Sequence, residues 1–435
     1  MRPVIVIVGR PNVGKSTLFN RLSRSRNALV DDQPGVTRDR IYASLQIEGV
    51  PLDLVDTGGF EDLGQDPLLK EVRGQVERGI AEADRVIFVV DGRAGVMPGD
   101  QEMADLLRKR QKDVVLGVNK VDGPEHDFRI HDFHSLGLGT PFGISAAHGY
   151  GFGDFKDALI KNLPAQQEEQ ENPNQIRVAV LGRPNAGKSS LINRILRDER
   201  LLVSDTPGTT RDAVDSIFHH RGREYLFIDT AGIRRRGKVK ERIEKFSIVK
   251  ALRSLDRCHV AVILLDGERG ISEQDTRICG YALDRGRGLV LAVNKWDLIK
   301  RDPGERDQIR TAFERQMKFV SFAPRVHLSA LTGERVMSLF QSIDMVYEQF
   351  STRISTGAVN RALRQIVERH PPQRIGRGRL KFLYATQART RPPTFILMVN
   401  RPDLVHFSYK RFLTNQFREH FGLTNTPIKL KFKER

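Results

Sequence analysis

The sequence predicts an α/β protein: two tandem doubly wound domains with mostly parallel sheets, then a small α+β domain. Three observations predict it. A glycine-rich stretch occurs twice, at 9–16 and 182–189, each time directly after an apolar run. Strands such as Arg85–Asp91 and Val260–Asp266 are continuously apolar and alternate with helical patterns, as in a parallel sheet covered on both faces. Past residue 350 the composition turns strongly basic.

The first glycine-rich stretch is Gly9-Arg10-Pro11-Asn12-Val13-Gly14-Lys15-Ser16, between Val4-Ile5-Val6-Ile7-Val8 and the helical pattern Thr17–Leu22. Strand, glycine turn, Lys-Ser and helix together make the pattern GxxxxGK[ST] a phosphate site. The glycines let successive N–H groups face an anion, and the helix N-terminus adds its partial positive charge. Lys15 can reach the β- and γ-phosphates, and the Ser16 hydroxyl is placed for magnesium. The second stretch, Gly182-Arg183-Pro184-Asn185-Ala186-Gly187-Lys188-Ser189, follows Val178–Leu181 and places Lys188 and Ser189 likewise.

The repeat extends past these loops. Lys15 and Lys188 are 173 positions apart (188 − 15), and Thr37 and Thr210 in PGVTRD and PGTTRD keep that offset. So do Asp56-Thr57-Gly58-Gly59 and Asp229-Thr230-Ala231-Gly232. Asn119-Lys120-Val121-Asp122 pairs with Asn294-Lys295-Trp296-Asp297, and Ser145-Ala146 with Ser329-Ala330, at slightly larger offsets. A duplicated domain with late insertions in its second copy explains the series. Domain boundaries are expected at 1–163 and 176–350, with the apolar-free stretch 164–175 as a solvated acidic linker, and at 351–435.

In each copy the set has a chemical reading. Asp56 and Asp229 can hold a magnesium-bound water, so magnesium is expected on Ser16, Thr37 and Asp56 and on Ser189, Thr210 and Asp229. The N–H groups of Gly59 and Gly232 can bond a γ-phosphate, making the following loops sensitive to hydrolysis. Asp122 and Asp297 match the paired N1–H and N2–H donors of guanine, and adenine would leave such a carboxylate unpaired. The N–H groups around Ala146 and Ala330 can bind guanine O6. GTP is the expected substrate. Phe60 and Ile233 follow the Asp-x-x-Gly elements, where they cannot polarise water. Asn12 and Asn185 can either help hold a monovalent cation beside the phosphates or stiffen the loop through an Asx-type bond.

The third domain reads helix (Val359 to Val367), strands Leu380–Gln387 and Thr394–Asn400, helix (Phe412 to Phe421) and strand Ile428–Phe432. It carries 18 Lys and Arg against 4 Asp and Glu, a net of +14 (18 − 4) out of +17 for the chain. That balance points to an anionic partner. Its aromatics fall mostly at core spacing. Cys258 and Cys279 lie in no metal or redox spacing, which fits a reducing compartment. Met1-Arg2-Pro3 runs straight into the first strand and no apolar run reaches the ~20 residues of a membrane span. A cytoplasmic protein without a leader or membrane span is expected. No self-complementary apolar stripe suggests an obligate dimer, so a monomer is expected.

Two copies of GRPNxGKS, PGxTRD, DTxG, NKxD and SA, followed by a basic domain with YATQ and RPPTF, resemble the bacterial double-GTPase Der (EngA) family over essentially the whole chain. The resemblance implies a GTPase that assembles the large ribosomal subunit and binds its rRNA, and a KH-like third domain. It also implies potassium stimulation, carried onto Asn12 and Asn185. The third domain has no Gly-x-x-Gly, the loop with which KH domains clamp RNA backbone. The rival readings are a tRNA-modification GTPase, whose cofactor domain or catalytic cysteine is not seen in the sequence, and an RNA-binding scaffold that uses GTP structurally. The run Arg234-Arg235-Arg236-Gly237-Lys238-Val239-Lys240 follows the second Asp-x-x-Gly, whereas Glu61–Asp66 in the first copy is acidic. The basic run is the candidate for a nucleotide-responsive loop.

Overall fold

The computed structural model describes residues 2–24, 42–57, 69–163, 172, 174–196, 202–204, 215–230, 247–299, 303–372 and 380–434. By contacts the chain forms two compact units, Met1–Gln170 with Lys245–Asp256, and Glu171–Glu244 with Arg257–Arg435.

In the first unit the chain runs β1 (Val4–Val8), α1 (Lys15–Arg24), β2 (Tyr42–Ile47), β3 (Val50–Asp56), α2 (Leu69–Glu82), β4 (Arg85–Asp91), α3 (Pro98–Lys109) and β5 (Val114–Asn119). A 3-10 helix (Pro124–Leu136), β6 (Phe142–Gly143) and α4 (Phe152–Ile160) follow. The sheet order is β2-β3-β1-β4-β5-β6, parallel except for the β2–β3 hairpin. Glu48 and Gly49, both at positive φ (46° and 85°), make that hairpin's two-residue turn. β1 is buried along its whole length, as its continuous apolar run requires. Ile5, Ile7, Leu18, Leu54, Val89 and Phe155 belong to the core under one face. Residues 245–256 join this unit although they follow the second Asp-x-x-Gly in sequence. Ser247 Oγ donates to Glu82, and Arg253 Nη2 donates to Asp84 Oδ1 at 2.8 Å.

The second unit repeats the plan with β7 (Gln175–Leu181), α5 (Lys188–Leu196), β8 (Leu202–Ser204), β9 (Ser216–His220) and β10 (Arg223–Ile228). Next come α6 (Ile248–Arg257), whose last residue alone belongs here, β11 (Val260–Asp266), α7 (Glu273–Asp284) and β12 (Gly288–Asn294). α8 (Trp296–Ile299), α9 (Pro303–Gln316), β13 (Arg325–His327) and α10 (Val336–Ser351) complete the copy. The sheet order is β13-β12-β11-β7-β10-β9-β8. β8 and β13 are three residues each, too few to show alternation in the sequence.

The basic domain lies in the same unit. It consists of α11 (Thr356–Arg369), β14 (Phe382–Arg389), β15 (Thr394–Val399), α12 (Phe407–His420) and β16 (Lys429–Glu434). This is the expected α-β-β-α-β order; the strand ends shift by at most two residues, and the two helices begin three and five residues before their first expected apolar position. β15 pairs antiparallel with β14 and parallel with β16. Gly422 at φ 66° ends α12, and Leu423 N–H bonds Arg418 O at 2.9 Å, the pattern that closes a helix on a left-handed glycine. Phe395 and Phe417 are core, whereas Tyr384 and Phe407 stay exposed. Cys258 and Cys279 are buried thiols, and burial pushes the Cys279 thiol up. Among the described residues no helix is long and apolar enough to cross a membrane.

Candidate functional sites

Both glycine-rich loops leave the C-terminal end of a central strand, β1 or β7, and enter a helix. The glycines are sterically required. A Cβ on Gly9 (φ 155°) would lie 2.3 Å from Val89 O, and one on Gly14 (φ 98°) 2.2 Å from Asn119 Nδ2. Gly182 and Gly187 repeat this, at 2.4 Å from Leu264 O and 2.2 Å from Asn294 Nδ2. The Lys15 ammonium bonds Gly9 O and Arg10 O at 3.0 and 2.8 Å, and Lys188 bonds Gly182 O and Arg183 O at 2.9 and 2.7 Å. Each lysine thus lies folded over a cradle of its own loop, within reach of an anion placed there.

One asparagine ties each loop to the base-recognition segment. Asn119 Nδ2 donates to Val13 O at 2.8 Å and its Oδ1 accepts from Ala146 N at 2.9 Å. Asn294 does the same with Ala186 O and Ala330 N, both at 2.8 Å. Both asparagines are buried. The loops at 145–147 and 329–332 are also held by a pair that sequence reasoning missed. Arg21 Nε donates to Ala146 O at 2.5 Å, and Arg194 Nη2 to Thr332 O at 2.9 Å. These arginines keep the 173 offset, which could have found them. Trp296 packs against His327, with ring centroids 4.1 Å apart and the planes tilted by 37°.

The Asp122 carboxylate is held by two side chains, with Oδ1 accepting from Ser145 Oγ at 2.7 Å and Oδ2 from Arg93 Nη2 at 2.6 Å. These two partners hold it below the usual carboxylate range. In the second copy Glu268 stands where Arg93 does, and it pairs with Lys295 at 3.0 Å. Lys295 also bonds Asp266 at 2.9 Å, as Lys120 bonds Asp91 at 2.5 Å, and both lysines sit at positive φ. Asp297 is half-buried at the start of α8, and Ser329 is buried.

For a metal, Ser16 Oγ and Asp56 Oδ2 converge at 2.9 Å, a pair of hard oxygen donors that fits magnesium. Asp56 is the last residue of β3, followed by Thr57, whose hydroxyl bonds Ile7 O at 2.7 Å. Asp229 falls one residue past β10 and turns to φ 61°. Its N–H donates to Asp215 Oδ1 at 2.9 Å, and Asp215 is ion-paired with Arg257 at 2.5 Å. Thr230 bonds Ser216 through their hydroxyls at 2.6 Å. Thr37, Gly58, Gly59, Thr210, Ala231 and Gly232 lie outside the described residues, as do Phe60, Ile233 and the 234–240 run.

Asn12 and Asn185 adopt φ 65° and 62°, with exposed side chains. Among the described residues neither amide side chain makes a hydrogen bond. Their contribution to the fold is tolerance of a left-handed backbone. Arg10 is anchored bidentately to Asp100 at 2.8 and 3.1 Å, and this buried carboxylate also accepts from Met97 N at the start of α3. Arg183 instead donates to Gly270 O at 2.8 Å, with Asp275 at 3.7 Å. Burial raises the Asp275 carboxyl.

Two doubly wound domains, each with a glycine-rich phosphate cradle, a lysine over it and an Asn-Lys-x-Asp base segment braced to it, define a tandem guanine-nucleotide-binding protein. Comparison with known proteins agrees. The family described as "50S ribosome-binding GTPase" matches residues 4–120 and 177–295, and "KH-domain-like of EngA bacterial GTPase enzymes, C-terminal" matches 353–433. "GTPase Der" of Syntrophobacter fumaroxidans is 49% identical, over 99% of this chain and 98% of that protein. "GTPase Der" of Geotalea uraniireducens is 47% identical over 100% of this chain and 99% of that protein. The chain belongs to the GTPase Der family, and it is a GTP hydrolase.

Proposed function

We propose that this GTPase is an assembly factor of the large ribosomal subunit, holding rRNA through its C-terminal domain under control of two guanine nucleotide sites. The observation that carries the reading is that two braced nucleotide cradles share one chain with a domain of net charge +14 (18 − 4). The matching family's description as ribosome-binding supports it. The working division is 1–163, 176–350 and 351–435 with 164–175 as linker, and the protein acts as a monomer in the cytoplasm.

In each site the loop N–H groups and Lys15 or Lys188 bind the phosphates, and Asp122 or Asp297 reads guanine. Asn119 and Asn294 keep those two halves in register, so a correctly read base fixes where the phosphates lie. Magnesium on Ser16, Thr37 and Asp56, or on Ser189, Thr210 and Asp229, would neutralise phosphate charge. Asn12 and Asn185, with their amides exposed and unbonded among the described residues, are suited to hold potassium against the phosphates. The N–H groups of Gly59 and Gly232 would tie the following loops to the γ-phosphate.

Depletion of the protein from cells, followed by sedimentation of ribosomal particles, tests the function. Accumulated large-subunit precursors are expected. A normal profile would overturn the reading.

A further inference from the structure

β14 is the outer strand of the basic domain's sheet, and among the described residues its outer edge is covered at Ala385. Asn360 on α11 covers Ala385, donating from Nδ2 to Ala385 O and accepting from Ala385 N, both at 2.9 Å. One turn nearer the strand's start the pairing with β15 slips, between Phe382 and Tyr384. This irregularity re-aims a side chain, as bulges do. Leu383 is left 44% exposed and lines a cleft between α11 and β14. The cleft holds about 380 Å³, within the usual range of ligand pockets. Leu363, Val367, Phe382 and Leu383 give it apolar walls, and exposed Arg364 and Glu368 also line it. Tyr384 beside it is 47% exposed.

We propose that this cleft receives an unstacked base of single-stranded RNA. The inference rests on the RNA-binding reading above and locates a contact within it. An apolar slot takes the faces of a base, as single-stranded RNA sites do. Arg364, with exposed Arg361 and Lys381 nearby in sequence, supplies cations for the flanking phosphates. The surrounding domain, with 18 basic against 4 acidic side chains, favours a polyanion over a peptide. Glu368 accepts but does not donate when ionised, so it favours bases with an exocyclic amino group (adenine, cytosine and guanine) over uracil, whose one ring N–H lies between two carbonyl oxygens that repel a carboxylate.

The test uses the full-length protein with fluorescein-labelled oligo(A), oligo(C) and oligo(U) of about 12 nucleotides, a length suited to such sites. Binding is read by anisotropy at two salt concentrations, with a duplex RNA of equal length as control. Wild type should prefer oligo(A) and oligo(C) over oligo(U). Leu383→Ser should weaken oligo(A) about tenfold with an unchanged salt slope and leave the duplex unaffected. Arg364→Gln should weaken all strands and reduce the salt slope by about one. Glu368→Gln should flatten the base preference. Unchanged melting temperatures confirm that these exposed-site variants fold. The proposal is overturned if Leu383→Ser binds every strand as wild type does, or loses duplex and single strands equally. It is also overturned if that variant loses large-subunit co-sedimentation while binding single strands normally, which would assign the cleft to a ribosomal protein. Retained co-sedimentation with unaltered RNA binding removes the cleft alone. Wild type that binds neither RNA nor subunits removes the broader function with it.

Discussion

The two nucleotide domains share a cradle and differ in what touches it. Gly9, Gly14 and Asn119 recur in Gly182, Gly187 and Asn294 with contact distances that agree to within 0.1 Å. The neighbours diverge. Arg93 caps Asp122, but Glu268 turns instead to Lys295. Arg10 is clamped by Asp100, whereas Arg183 rests on Gly270 O. Even the first strand is held differently: Val4 N–H donates to the Asp84 carboxylate at 2.8 Å, and Arg177 N–H to His259 Nδ1 at 3.2 Å. The backbone geometry that binds phosphate tolerates no side chain, so duplication leaves it fixed. The residues around it carry no such steric demand, and their contacts differ between the copies.

The largest effect expected is on what the copies share. Asp122→Asn or Asp297→Asn should turn its own site from GTP toward XTP by about a hundredfold or more, because xanthine offers an acceptor where guanine offers its amino group. Nucleotide competition in the singly substituted proteins checks this. Loss of discrimination at both sites from one substitution would break the independence of the pockets.

Potassium should act on both sites too. Replacing it with sodium should slow hydrolysis by about tenfold or more, the scale of losing one charge-stabilising contact. Asn12→Ala and Asn185→Ala should each abolish the response of one site only. Equal turnover in the two salts would exclude the cation role.

The next effect separates the copies. Burial, and then the positive field of Arg391, Arg177 and Arg287, push His259 down to about 3. The unfolded chain therefore takes up this proton first. The stability that neutral His259 contributes is present above about pH 6.5 and is lost as pH falls toward 3. At about 1.4 kcal/mol per pH unit, roughly 2 kcal/mol is gone by pH 5. Urea unfolding followed through Trp296, the chain's single tryptophan, reports on the second unit. His259→Gln should flatten that pH slope, and a slope identical to wild type would contradict the assignment.

The smallest effect concerns Arg93, which is 61% exposed in its pair with Asp122. Arg93→Glu, which installs the second copy's residue type, should change first-site GDP affinity only a few-fold, and less at high salt. A salt-independent change would mean that Arg93 contacts the nucleotide itself.

How much was legible follows the same division. The phosphate loops, the Asn-Lys-x-Asp segments and the third domain's element order could be read because local spacing encodes them. Asp100, Arg93 and Asp215 could not, since each reaches its partner across a gap of 29 to 90 residues and occupies no motif. Arg21 and Arg194 lay within reach of the repeat offset but outside any known pattern. The asparagines of the loops showed two possible roles in the sequence, and the left-handed backbone at both added a third.

The two sites are expected to do different jobs, the second controlling attachment to large ribosomal subunits through the basic run 234–240 that follows it in sequence. The most direct measurement loads one site at a time. With Asp297→Asn, a non-hydrolysable XTP analogue addresses the second site alone, and Asp122→Asn does the same for the first. Co-sedimentation with large ribosomal subunits then reads each state against its diphosphate. The account predicts that loading the second site switches attachment, that loading the first changes it less, and that neutralising Arg234, Arg235 and Arg236 removes the difference. Equal responses to both sites, or a switch that survives the triple neutralisation, would contradict it.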